Sequence, residues 1–195
     1  MPGKIACIVL AAGRSMRMGG ANKLIADIDG TPMVRRVVAA ALASKAAPVL
    51  VVTGHMAAEV SAVLAGLDVT IVANPHYATG LASSLKAGVR ALPSPCNGAL
   101  ILLGDMPRIT KEHLDTLIAA HTSDAIVVPV HEGRQGNPVL WPAKYLTEIM
   151  QLVGDAGAKR LIATHAAHVR EVDLGTNEIF VDVDTPAALA RLRRS

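Results

Sequence analysis

A chain of 195 residues and 20.2 kDa has enough length for one substantial core, so a single domain over 1–195 is the simplest expectation. Apolar residues make up 51% and mean hydropathy is +0.39, yet every apolar run is strand-sized, which argues against membrane-spanning helices. Net charge is only +3 and aromatic residues only 2%, so a nucleic-acid surface with stacking platforms is disfavoured.

The N-terminus lacks a basic region followed by an apolar stretch and a cleavage site, so no secretory signal is expected. Cys7 and Cys96 have neither metal-ligand spacing nor a disulfide framework, which predicts a reduced, cytoplasmic protein. The seven histidines lack metal spacing or partner cysteines and are expected at the surface or core edge. Basic residues crowd the start: Lys4, Arg14, Arg17, Lys23, Arg35 and Arg36 face only Asp27 and Asp29 before position 37, which predicts a cationic mouth for an anionic ligand.

Apolar runs predict strands at Lys4–Leu10, Pro48–Thr53, Val69–Val72, Gly98–Leu103 and Ala125–Pro129. Helical periodicity between them predicts helices at Met33–Ser44, Met56–Ala65, Leu81–Leu92 and Lys111–His121. The alternation implies an α/β fold, with helices on both faces of a mostly parallel sheet joined by right-handed crossovers. Beyond Pro129 the rhythm changes. Pro138–Trp141 reads as a strand of different orientation, Ala143–Val153 as a helix, and Gly154–Gly157 as a turn into a helix ending at Thr164. Val169–Asp173 and Ile179–Val183 read as short strands, and Thr185–Arg193 as a closing helix with Thr185 as N-cap and Pro186 at its first position.

The first strand opens into Leu10-Ala11-Ala12-Gly13-Arg14-Ser15-Met16-Arg17-Met18-Gly19-Gly20-Ala21-Asn22-Lys23. Small residues and glycines let backbone amides approach an anion closely, and Arg14, Arg17 and Lys23 add positive charge, so the loop suits a polyphosphate. It is neither a P-loop nor a dinucleotide fingerprint: Gly13 and Gly19 are wrongly spaced for G-x-x-x-x-G-K-[ST], and Arg14-Ser15 breaks G-x-G-x-x-G. Ser15 lacks the G-x-S-x-G context of a nucleophile. Leu103-Gly104-Asp105-Met106-Pro107 places an acid just past a buried strand, where one carboxylate facing a phosphate loop holds a divalent cation. Asp182 and Asp184, read as alternating along one strand, share a face; one or both join Asp105, or Asp184 merely caps the last helix. Asn74 to Ser84 offers amide, hydroxyl and glycine groups before a helix start, the chemistry of base and ribose recognition or of a plain capped turn.

The pattern L-A-A-G-x-S-x-R-M-G-x-x-x-K, the complete G-D-M-P and the D-x-D-T-P at Asp182–Pro186 resemble the MobA-like nucleotidyltransferases, most closely their molybdenum cofactor cytidylyltransferase branch. The resemblance covers nearly the whole chain. It implies a three-layer α-β-α sandwich with a Rossmann-like nucleotidyltransferase fold. It also implies transfer of CMP from CTP to a phosphorylated pterin acceptor, the Mo-molybdopterin cofactor, with release of pyrophosphate and use of Mg²⁺ replaceable by Mn²⁺. Leu10, Ala11, Ala12, Gly13, Arg14, Lys23, Asn74, Gly80, Ser83 and Ser84 would then bind nucleotide. Arg17, Lys23 and Asp105 would act on the triphosphate, and Asp105 with Asp182 or Asp184 would hold the metal. Gly136, Asn137, Pro138, Gly154 and Asp155 match acceptor segments, although Asn137 stands where the branch often has His. Ala12 replaces the glycine of guanylyl members and narrows the space beside the base, favouring a pyrimidine. The resemblance also implies a molybdoenzyme that receives the product. The alternatives are transfer to another phosphorylated small molecule, such as a sugar phosphate or isoprenoid precursor, and a non-catalytic cofactor chaperone.

Overall fold

The computed structural model describes residues 4–15, 22–155 and 157–193. Chain order begins with β1 (Ile5–Ala11), a hairpin of β2 (Asp27–Ile28) and β3 (Thr31–Pro32), then α1 (Met33–Ala43), β4 (Val49–Thr53), α2 (Ala57–Val63) and β5 (Thr70–Ala73). It continues through α3 (Leu81–Arg90), β6 (Gly98–Leu103), α4 (Lys111–Ala119), β7 (Ile126–His131), β8 (Arg134–Gln135), β9 (Val139–Pro142) and α5 (Ala143–Ile149). The last elements are α6 (Lys159–Thr164), β10 (Val169–Asp173) and α7 (Pro186–Leu192).

The main sheet runs β10-β7-β9-β6-β1-β4-β5, with β8 paired to β7. Strands β6, β1, β4 and β5 are mutually parallel, while β9 is antiparallel to both β6 and β7. The apolar run of β1 is buried at every position because both of its faces are covered. Cys7, Val9 and Ala11 pack with Val34 and Val37 of α1, Val60 of α2 and Leu114 of α4. Ile8 and Leu10 pack on the other side with Leu85 of α3, Ile149 of α5 and Ile162 of α6. The fold is therefore a three-layer α-β-α sandwich. Burial pushes the Cys7 thiol up to about 12, which makes it an inert core residue. No helix among the described residues is long and apolar enough to cross a membrane.

The segment expected as a strand over 179–183 is a 3-10 turn, Asn177–Phe180, followed by irregular backbone. Its apolar residues belong to different clusters: Ile179 packs in the main core, whereas Val183 packs against Met33 and the α7 residue Leu189. Its polar backbone is satisfied outside any ladder, with Val183 N–H donating to the Asp105 carbonyl at 3.1 Å and Asn137 N–H donating to the Ile179 carbonyl at 3.2 Å. Strand alternation therefore does not describe Asp182 and Asp184.

The expected cationic mouth is also smaller than the residue count suggests. Arg35 donates to the Val63 carbonyl at 2.7 Å, and Arg36 donates to the Ile28 carbonyl at 2.5 Å. Both guanidiniums are engaged with backbone carbonyls.

Candidate active site

The parallel strands β1 and β6 end side by side, and an open cavity of about 680 Å³ lies beyond their carboxyl ends. This is where ligands bind in open α/β sheets. Leu10, Ala12, Gly13, Arg14 and Ser15 form one wall, and Tyr77, Gly80, Leu81 and Ser84 another. Lys23, Asp105, Asp155, Asp182 and Asp184 complete it. Ala11 is the last residue of β1, and its side chain is buried in the core with α1. Arg17 lies outside the described residues.

Short-range hydrogen bonds place Lys23. Ser15 adopts a left-handed backbone (φ 49°), and its hydroxyl accepts from the Lys23 backbone N–H at 3.2 Å. The same hydroxyl donates to Asn22 Oδ1 at 3.4 Å, which also accepts from Leu24 N–H at 3.0 Å. Asn22 is 2% exposed and Leu24 3%, so this clamp joins Ser15 to a buried anchor on either side of Lys23. Sequence reasoning missed both residues. The detectable signal was the Asn22-to-Leu24 spacing, which is that of an Asx turn.

Lys23 Nζ donates to Asp105 Oδ2 at 2.6 Å and to Asp184 Oδ1 at 2.5 Å. Asp105 arrives on the turn after β6, which Gly104 allows: a Cβ there would stand 2.9 Å from the Leu10 carbonyl oxygen. Asp184 arrives because Val183 is bonded to the Asp105 backbone, and Thr185 then starts α7 by accepting from Ala188 N–H at 3.2 Å. Burial raises the Asp105 carboxyl above its ordinary value, against the opposing effect of Lys23, and the neighbouring Asp182 charge adds to the rise. For Lys23, burial acts downward, but the two carboxylates together hold it above its ordinary value. Asp105 Oδ1 is buried without a hydrogen-bond partner among the described residues. No group of three His, Cys, Asp or Glu side chains has metal-holding spacing among the described residues, so Asp105, Asp182 and Asp184 do not form a three-ligand cage.

The remaining expected residues, Pro138 apart, divide among three cavities. Asn74 is buried, and its amide is committed inward, donating to Ser83 Oγ at 2.9 Å and Ser84 Oγ at 3.1 Å while its oxygen accepts from His76 N–H at 3.0 Å. It shapes the loop before α3, and Asn74, Ser83 and Gly154 line a neighbouring groove with Lys86 and Arg90. Gly136 and Asn137 line a third cavity, of about 620 Å³, between β9 and α6. The acceptor-like residues Gly136 and Asn137 thus line a different cavity from the Gly13 site. Of the expected acceptor residues, Asp155 alone lines the Gly13 cavity.

Gly80 joins two of these regions. It has φ +111°, and a Cβ there would meet the Gly154 carbonyl carbon at 2.4 Å, beside the Ala82 N–H to Gly154 carbonyl bond of 3.1 Å. Gly80→Ala should therefore destabilise by roughly 2–3 kcal/mol, lowering Tm by roughly 4–12 °C. Gly66 (φ +80°) has no atom within 4 Å of such a Cβ, so Gly66→Ala carries the backbone strain alone and should melt higher than Gly80→Ala. Thermal melts of the pair check this.

The MobA-like NTP transferase domain matches residues 7–170. The molybdenum cofactor cytidylyltransferase of Escherichia coli (strain K12) is 30% identical over 185 residues, covering 93% of this chain and 92% of that one. Among solved structures, Rv0371c from Mycobacterium tuberculosis H37Rv aligns over 100% of both chains with a TM-score of 0.90 and 26% identity. A manganese complex of the same protein aligns over 98% of this chain and 99% of that one, with a TM-score of 0.83 and 25% identity. The cavity sits where this architecture binds phosphates and its cationic and acidic groups converge on it; with 7–170 matched and a near full-length relative, the chain belongs to the MobA-like NTP transferase family and is a nucleotidyltransferase.

Proposed function

We propose that this nucleotidyltransferase, acting as one domain over 1–195, moves CMP from CTP to a phosphorylated pterin acceptor of the Mo-molybdopterin type and releases pyrophosphate. The observation that carries this reading is the meeting of Lys23, Asp105 and Asp184 beside the Gly13–Ser15 backbone at one cavity. The E. coli relative supplies the donor and acceptor, and Ala12 beside the cavity favours the smaller pyrimidine base.

The metal is proposed as Mg²⁺, with Mn²⁺ as a substitute, in keeping with the manganese complex of Rv0371c. The residues suit such an ion. Two carboxylate oxygens contact one point, and Asp105 Oδ1 has a vacant buried lone pair. Mg²⁺ is typically held by one or two carboxylates plus substrate phosphates, so a three-aspartate cage is not required. Bound there, the ion supplies charge neutralisation at the phosphates.

The chain's own residues then position and neutralise. The backbone amides of Gly13 to Ser15 cradle the phosphates, and Lys23 pairs with the negative charge that develops on pyrophosphate. The acceptor phosphate oxygen attacks the α-phosphorus in line. The new phosphorus–oxygen bond forms as the bond to the β-phosphate oxygen breaks, and that electron pair leaves with pyrophosphate. No covalent enzyme intermediate is needed. Tyr77, Gly80, Leu81 and Ser84 form the wall against which the base and ribose rest.

Pyrophosphate release measured across the four NTPs, each with a pterin phosphate, a sugar phosphate and an isoprenoid-precursor phosphate, tests the proposal. Turnover should need CTP and the pterin acceptor. Faster release with another acceptor redirects the substrate, and binding without release in any combination makes the chain a carrier.

A further inference from the structure

Asp105 Oδ2 and Asp184 Oδ1 both contact the Lys23 ammonium, at 2.6 Å and 2.5 Å, so the nitrogen stands where a divalent ion shared by these two carboxylates would stand. An ammonium and a divalent cation cannot share that position, and two positive charges held side by side in a half-buried site repel strongly. The Lys23 side chain is 12% exposed, and its clamp holds the backbone: Ser15 and Asn22 bond the main chain of residues 23 and 24, so the clamp itself places no hydrogen bond on the flexible four-carbon stem. Within the same cavity, the Gly13–Ser15 backbone offers the place for a triphosphate, a competing anionic partner for the ammonium.

Resting on the metal reading above, we propose that Lys23 is a tethered stand-in for the divalent cation, occupying its place in the nucleotide-free protein and yielding it when the triphosphate draws the ammonium away. Three consequences follow. The free protein binds divalent cations weakly, because each ion must displace a lysine held by two carboxylates. Nucleotide and cation bind with positive coupling, since each removes the other's obstacle, and that coupling is reciprocal. Removing the Lys23 charge strengthens cation binding while weakening triphosphate binding, so one substitution moves the two affinities in opposite directions. A lysine serving only as a phosphate ligand, or only as a structural ion-pair partner, does not produce that opposition.

The decisive experiment measures Mn²⁺ alone, without nucleotide, by the electron paramagnetic resonance of the free ion. Lys23→Gln and Lys23→Met should each bind Mn²⁺ at least 10-fold more tightly than the wild type. Asp105→Asn introduced into either variant should return the affinity to the wild-type level or below. In the wild-type protein, acetylation of the Lys23 amine, followed by peptide mass, should accelerate several-fold when Mn²⁺ is added, because the displaced ammonium becomes accessible. This second measurement involves no substitution and stands even if the variants fold poorly. Equal or weaker Mn²⁺ binding by the lysine variants, with Lys23 acetylation unchanged by Mn²⁺, overturns the stand-in role while leaving the metal site in place. Mn²⁺ binding by wild type and lysine variants that Asp105→Asn does not reduce removes the metal site itself, and the stand-in role with it.

Discussion

Asp105→Ala should lower nucleotidyl transfer by about 10³-fold, equivalent to ~4 kcal/mol of lost charge stabilisation at the phosphates, while the protein stays folded. The separation of chemistry from stability follows from the environment of the carboxyl. Burial raises its folded-state value above the ordinary one, so its stability contribution is greatest below the ordinary value and is lost as pH rises through the raised one. Near pH 7 the ionised, buried carboxylate is therefore not a net prop of the fold, and its unpartnered Oδ1 adds to that cost. Lys23 keeps Asp184 as a partner when Asp105 is removed. The melting temperature should stay level or rise, and Asp105→Asn, which keeps the shape without the charge, should be nearly as inactive. Pyrophosphate release together with a thermal melt checks both halves. Transfer within 10-fold of the wild type would contradict the role assigned to this carboxylate.

Trp141→Ala is expected to do the reverse. Trp141 is 1% exposed and lies on β9 opposite Ala99 of β6, packed with Ile8, Leu85 and Ile149. Truncating a buried aromatic of this size costs about 3–5 kcal/mol, and in a chain of this length each kcal/mol moves Tm by about 2–4 °C. The melt should therefore fall by roughly 6–20 °C. The side chain does not line the Gly13 cavity, so KM for the nucleotide, measured well below the melt, should remain close to that of the wild type. A large KM change with a small Tm change would mean that β9 shapes the site more directly than its position indicates. Together the two variants separate residues that hold the sheet from residues that the sheet presents.

Most of the architecture was legible in advance because short-range patterns encode it. The unbroken apolar run of β1 announced a strand covered on both faces, and Thr185-Pro186 announced the start of α7 through capping chemistry. The different orientation of the strand after Pro138 was also legible, from the loss of the alternating rhythm. The segment 179–183 was misread because apolar-polar alternation over so few residues fits a strand and a crossing loop equally well. What separates the two is where Ile179 and Val183 bury their side chains, which depends on residues more than a hundred positions away. The basic excess near the N-terminus misled for a similar reason: charge can be counted from the sequence, but the carbonyls that Arg35 and Arg36 engage are set by how α1 packs on α2 and the hairpin.

The sequence by itself determined the chemistry at hand: a strand opening into a small-residue loop ending in Lys23, an acid after the β6 strand, and acids before α7. Each of these is local, set by a strand end, a turn residue or a cap within a few positions. Only the tertiary structure decided which of these groups meet. Lys23 reaches Asp184 across 161 positions because Val183 is pinned to the Asp105 backbone, whereas Gly136 and Asn137 line a separate cavity between β9 and α6. Local sequence sets what each segment offers, whereas the order and direction of strands in the sheet set its neighbours, and it is the neighbours that turn a lysine and two carboxylates into a site.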